Sequence, residues 1–118
     1  MDANFASETQ WQIGEILRLR RSRSDQLGSG LFSDPAWDIL LQLFAAKLRG
    51  HKLRLAEVAA DVPSSTLARW ATLLQERGLI SCAADAVTPS ILWIALSPSG
   101  AAKMSKLFAT RHPKHRVA

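Results

Sequence analysis

Most of what catalysis or a membrane would require is missing from this chain. Only one cysteine, Cys82, occurs among 118 residues, so an intramolecular disulfide is excluded and a cytoplasmic setting is the simplest expectation. The three histidines, His51, His112 and His115, have no acidic partner nearby in sequence. The spacing in "HPKH" would suit a metal only with ligands brought from elsewhere, so neither a metal site nor a cofactor is expected. There is no glycine-rich phosphate loop and no nucleophile motif, which argues against an enzyme. No apolar run approaches the ~20 residues needed to span a bilayer. The opening "MDANFASETQ" has neither a basic n-region nor an apolar h-region, so no secretory signal is read there. Internal repeats and low-complexity segments are absent, and no acidic residue follows Asp85.

What is present points to a small folded domain with an anionic partner. A hydrophobic share of 47% with 21% charged residues suits one packed core rather than a disordered chain. Fifteen Lys and Arg against ten Asp and Glu leave a formal charge of +5, a balance that favours nucleic acid. The basic residues cluster. Arg18, Arg20, Arg21 and Arg23 lie in "RLRRSR"; Lys47, Arg49, Lys52 and Arg54 lie in "KLRGHKLR"; Lys103, Lys106, Arg111, Lys114 and Arg116 close the chain.

The periodicity predicts a first helix over about 8–23, with Trp11, Ile13, Ile16, Leu17 and Leu27 as its larger apolar positions, ended by "GSG" at 28–30. A core helix follows: Asp34 caps, Pro35 suits the first helical position, Trp37, Leu40, Leu41, Phe44 and Leu48 form the stripe, and Gly50 terminates. "HKLRL" alternates like a very short strand. Leu55, Val58, Ala59 and Val62 then mark a short helix broken by Pro63, after which Ser64 or Ser65 caps a helix running to about Arg77 and closed by Gly78. "LISCAAD" and "SILWIAL" read as a two-stranded ribbon. Ser97 and Pro98 start a last amphipathic helix carrying Ala101, Met104, Leu107 and Phe108, and the tail "RHPKHRVA" reads as disordered. This is a mainly α chain with a small β-hairpin, in the order of a winged helix-turn-helix. Its parts are an N-terminal helix and linker (1–30), the winged core (31–97), and a C-terminal helix and basic tail (98–118).

Within "VPSSTLARWATLLQERGLI", helical spacing puts Leu67, Trp70, Ala71 and Leu74 on one side and Ser65, Arg69, Thr72 and Glu76 on the other. Trp70 is expected to anchor in the core near Trp37 and Phe44, and Trp93 to be a core anchor likewise. Cys82 reads as a small hydrophobe on a half-buried strand.

From about Leu31 to Phe108 the sequence resembles the MarR-like winged helix-turn-helix regulators of bacteria. "SSTLARW", "LQERGLI" and "LSPSG" carry the resemblance, each in register with the helix, the hairpin and the last helix. It implies a homodimeric transcription factor that binds DNA, often under control of a small-molecule effector that the sequence does not identify. It also places Ser65, Thr66, Ala68, Arg69 and Thr72 on a recognition helix facing the groove. The chain departs from the pattern in three places: the wing keeps Asp85 but has no arginine or lysine, Leu73 replaces a polar residue, and the terminal helices are short for the family's dimerisation platform.

The chemistry fits that placement. Short side chains let a helix approach a major groove about 12 Å wide, and an arginine can donate twice to one guanine. Arg69 is the expected base reader, with Ser64, Ser65 and Thr66 donating to phosphate near the helix N-terminus. Lys52 and Arg54, and Thr88 and Ser90 on the wing, are expected backbone contacts. Dimerisation is expected through Ile13, Ile16 and Leu17 of the first helix and Met104, Leu107 and Phe108 of the last, whose stripes have little of their own domain to cover them, with Trp11 as a further subunit contact. The alternative is a winged helix that binds protein instead of DNA through a bare wing and Leu73.

Overall fold

The structure, a computed structural model, describes residues 3–27, 34–58 and 62–110. Helix α1 spans Ala3–Leu27 and α2 spans Pro35–Arg49. Strand β1 (Leu53–Arg54) runs into a 3₁₀ turn at Leu55–Glu57. Helix α3 (Ser64–Glu76), strands β2 (Ile80–Ala84) and β3 (Leu92–Leu96), and helix α4 (Pro98–Thr110) complete the chain. None of the described helices is long and apolar enough to cross a membrane.

Local signals explain most boundaries. The Trp37 amide donates to Asp34 Oδ1 at 3.3 Å at the start of α2, and Gly50 closes that helix in the left-handed region. Gly78 closes the turn after α3 at φ 73°, a conformation that a Cβ would strain. At α4 the Ser97 hydroxyl donates to the Gly78 carbonyl at 2.6 Å and accepts from the Gly100 amide at 2.9 Å. Gly100 is required by space: a Cβ there would stand 2.0 Å from the Leu79 carbonyl oxygen. The "LSPSG" segment thus pins the start of α4 to the chain just after α3.

The core is built around α2. Ile39, Leu41, Leu43, Phe44, Ala45 and Ala46 are all buried, more than one stripe can hold, because α1, α3, α4 and β3 pack around the helix. Phe108 sits between Trp37 and Phe44, with ring centroids at 6.4 and 5.7 Å. Beneath the helices lies one antiparallel sheet in the order β1-β3-β2, pairing Leu53 with Ile94, Arg54 with Trp93, and Ile80 through Ala84 with Leu96 back to Leu92. The expected ribbon and short strand are therefore one three-stranded sheet.

Several expectations need correction. Helix α1 extends beyond both ends of 8–23 because "ANFAS" and "SDQL" carry no strong breaker. The short helix expected over 55–62 is a 3₁₀ turn as far as it is described; Ala59 lies outside the described residues, as do "GSG" and the basic tail. Trp93 is not a core anchor. Strand alternation points Ile94 and Leu96 inward, which puts half-buried Trp93 on the outer face beside Ala83 and Ala95.

The stripes offered for dimerisation are also largely covered by the chain itself. Ile13, Met104 and Phe108 are 0%, 3% and 1% exposed, because α1 and α4 each fold back on α2. Ile16 and Leu17 are half-buried against the same core. Leu107, 51% exposed, is the member of that set that faces out, and Trp11 and Leu19 are exposed apolar residues on α1.

Candidate nucleic-acid interface

Helix α3 is seated by one face. Leu67, Ala71 and Leu74 are buried, and Trp70 packs half-buried against the same core. The aromatic partner of Trp37 and Phe44 is Phe108, so Trp70 joins the core without being part of that stack. The opposite flank presents Ser64, Ser65, Ala68, Arg69 and Thr72 to solvent, with Thr66 half-buried at its edge. An open groove of about 600 Å³ runs along this flank past Thr66, Arg69, Trp70, Leu73 and Glu76.

The start of α3 differs from expectation in a way that bears on the site. Neither Ser64 nor Ser65 caps the helix. The N-cap position is Pro63 at φ −55°, with no side-chain cap, so the serines fall within the first turn. Proline has already set the chain direction, and the helix begins a residue early. The first-turn amides thus have no capping side chain, which leaves donors and the positive end of the helix dipole facing out.

Along the flank the donors are unequal. The Thr72 hydroxyl donates back to the Ala68 carbonyl at 3.0 Å, so outwardly it offers a methyl group and an acceptor. Arg69 makes no ion pair among the described residues, leaving all its donors available. The one acid of α3, Glu76, stands at its last position. Leu73 is 36% exposed next to this surface.

The cations expected at the margins separate into two kinds. The Arg54 guanidinium pairs with Glu57 at 3.2 Å, and the Arg54 amide donates to the same carboxylate at 2.7 Å. The amide bond first, then the guanidinium, holds the Glu57 carboxyl below its ordinary range. Arg54's charge is therefore already matched. Lys52 is exposed, and its Nζ lies 5.0 Å from the centre of the Trp93 ring. On α1, Arg18 pairs with Glu15, and Arg21 is exposed.

The wing tip is organised by Asp85. One carboxylate oxygen accepts from the Val87 and Thr88 amides at 3.0 and 2.9 Å, and the other accepts from the Trp93 indole at 2.9 Å. The Asp85 amide donates to the Ile91 carbonyl at 2.8 Å and the Ile91 amide to the Thr88 carbonyl at 2.9 Å. The indole bond, followed by the two amides, pulls the Asp85 carboxyl below its ordinary value. Thr88 and Ser90 stand exposed at this tip, and Val87 is 89% exposed. Sequence reading missed the Trp93–Asp85 link. The period of two in "ILWIAL" was the available signal, since it sets Trp93 opposite Leu92, Ile94 and Leu96. Cys82, half-buried under the sheet, has its thiol pushed up by burial, as suits a small packed hydrophobe.

Comparison with known proteins adds structure where sequence is silent. No family model and no curated protein sequence matches the chain. Solved structures do. A probable transcriptional regulator from Pseudomonas aeruginosa is 25% identical with a TM-score of 0.55, over 88% of this chain and 80% of that one. S. aureus MepR bound to ethidium bromide is 19% identical with a TM-score of 0.54, over 90% and 76%. Lactococcus lactis ZitR is 18% identical with a TM-score of 0.53, over 87% and 74%. Helix, turn, helix and hairpin thus recur in these chains at low identity, and the chain has the winged helix-turn-helix fold of the MarR-like transcriptional regulators.

Proposed function

We propose that the protein is a transcriptional regulator that binds duplex DNA sequence-specifically, laying α3 in the major groove. The observation that carries this reading is the division of α3 into a buried apolar face and an exposed flank on which Arg69 stands unpaired among short side chains. Arg69 reads a guanine edge, Ser64, Ser65 and the uncapped first-turn amides meet phosphate, and Ala68 and Thr72 let the helix lie close. The fold shared with a probable transcriptional regulator supports the same reading.

The protein acts as a homodimer, so that two α3 helices meet half-sites about one DNA turn, ~34 Å, apart. With Ile13, Met104 and Phe108 already covered, the pairing surface is drawn from the apolar residues that face out, Trp11, Leu19 and Leu107. Size-exclusion chromatography with light scattering tests it: a monomer at micromolar concentration removes the dimer.

DNA binding is tested by titrating duplexes against salt for the parent and for Arg69→Ala. The variant is expected to lose about 1–3 kcal/mol of discrimination at one base position, while the parent shows the falling affinity with rising salt that phosphate contacts produce. Absence of binding at low salt favours the second reading, a protein-interaction module, for which the exposed Leu73 and Val87 are the supporting observation.

A further inference from the structure

The exposed side chains beside Arg69 on α3 end in carbon. Ala68 precedes it, and Thr72 and Leu73 follow at i+3 and i+4, the spacings that share a helix face. The Thr72 hydroxyl spends its hydrogen on the Ala68 carbonyl at 3.0 Å, so it turns outward a methyl group and acceptor lone pairs. Leu73 stays 36% exposed, and with Ala68, Arg69 and half-buried Trp70 it lines the same groove of about 600 Å³. Carbon ends cannot bond to phosphate or to the polar edge of a guanine. We propose that this patch reads thymine methyl groups close to the guanine taken by Arg69, and that Thr72 is the residue that sets this preference.

In the major groove an A·T pair shows a methyl group on thymine and an amino donor on adenine. A threonine bonded back to its own helix presents the complement of both, a methyl for the methyl and a lone pair for the amino hydrogen. A G·C pair also offers an amino donor, on cytosine, but no methyl, so the carbon contact is what separates the two pairs. Ala68 and Thr72 lie about 6 Å apart along the helix axis, close to two base steps of ~3.4 Å. The thymines therefore fall within about two steps of the Arg69 guanine. Removing one methyl from water against this patch is worth about fourfold in affinity. The contact displaces no counterion, so the preference persists as salt rises even though total affinity falls.

This inference rests on DNA as the ligand of α3, and it is tested on duplexes that the whole chain selects from a random pool. Arg69→Ala first marks the guanine, as the position where discrimination is lost. Each thymine within two steps is then replaced by uracil, which keeps the pairing and removes the methyl. Uracil at one or more of these positions is expected to weaken binding about threefold to fivefold, by the same ratio at low and high salt. With a C·G pair at that position, 5-methylcytosine is expected to bind tighter than cytosine by a similar factor. Thr72→Ser keeps the bond to Ala68 but loses the methyl, and is expected to abolish the thymine-over-uracil ratio at one position. Thr72→Val keeps a methyl and is expected to retain the ratio. Both changes fall at an exposed position and are expected to melt near the parent. Equal binding of thymine and uracil duplexes by the parent, or of cytosine and 5-methylcytosine ones, overturns methyl reading and leaves Arg69 as the guanine reader. A ratio that survives Thr72→Ser, or vanishes in Thr72→Val, overturns the assignment to the Thr72 methyl. A parent that binds duplex without preference, or not at all, overturns this inference together with the sequence-specific DNA reading.

Discussion

Helix α3 and the wing reach solvent on the same domain but are held by opposite means. The helix is seated by Leu67, Ala71 and Leu74, buried hydrocarbon with no titrating group, while its exposed flank carries an unpaired cation. The wing buries almost nothing at its tip and is shaped by one carboxylate and one indole N–H, while its exposed end is neutral. Hydrophobic seating tolerates changes of salt and pH and responds to changes of volume. A polar clamp has the opposite sensitivities. The two regions can therefore be disturbed one at a time.

The largest effect is expected from the volume side. Leu74→Ala should destabilise the protein by about 2–5 kcal/mol in urea unfolding, because the space it leaves under α3 can collapse only partly. Leu73→Ala, one residue along on the exposed flank, should stay within about 0.5 kcal/mol. Equal losses at 73 and 74 would mean that α3 is not seated by one face, and the contrast with the wing would be lost.

A smaller effect is expected where the two regions are joined. Ser97 ties the start of α4 to Gly78, directly after α3, and Gly100 lets that first turn approach Leu79. Gly100→Ala has to displace backbone rather than a flexible side chain, at a cost of about 1–3 kcal/mol, read as a lower melting temperature. Since β3 enters this same junction through Leu96, the variant should loosen helix and wing together, unlike the other substitutions considered.

The contrast also explains what was legible in the sequence. Features set by short-range rules could be read: the Asp34–Pro35 start of α2, Gly50 and Gly78 as helix ends, Ser97 and Pro98 at α4, and the inward set of α3. Features set by what packs on what were misread. The stripe on α4 looked uncovered because nothing local announces that Phe108 lies between Trp37 and Phe44. Trp93 looked like core because a tryptophan in an apolar run usually is, and only strict strand alternation separates it from Ile94. The serines that open α3 read as caps because the cap preference is strong, yet Pro63 takes the cap position and fixes the chain direction. In the candidate interface, the exposure of Ser65, Arg69, Thr72 and Glu76 was legible from helical spacing, and the placement of Ala68 came from the resemblance. The matching of Arg54 by Glu57 depended on a 3₁₀ turn forming where a helix is expected, and the bonding of Trp93 to Asp85 on the hairpin that brings them together.

The smallest effect, and the sharpest separation, is expected from acid. The Asp85 carboxyl has its pKa lowered in the folded chain, first by the Trp93 indole and then by the Thr88 and Val87 amides. A lowered folded value means that the stabilisation is complete above the unfolded aspartate value, about 3.9, and fades as pH falls through the folded one. Between neutral pH and about 5 the wing should therefore not change. Below about 4, protection of the Val87 and Thr88 amides should fall, while amides under Leu67, Ala71 and Leu74 keep theirs. Glu57, also lowered by its bonds to Arg54, responds in the same range, but its effect is local to β1 and the 3₁₀ turn, which residue-resolved exchange separates from the wing. If wing and helix amides instead lost protection in a single step as the solution was acidified, the tip would be held by the same core that seats α3, and Asp85 would have no separate part in shaping it.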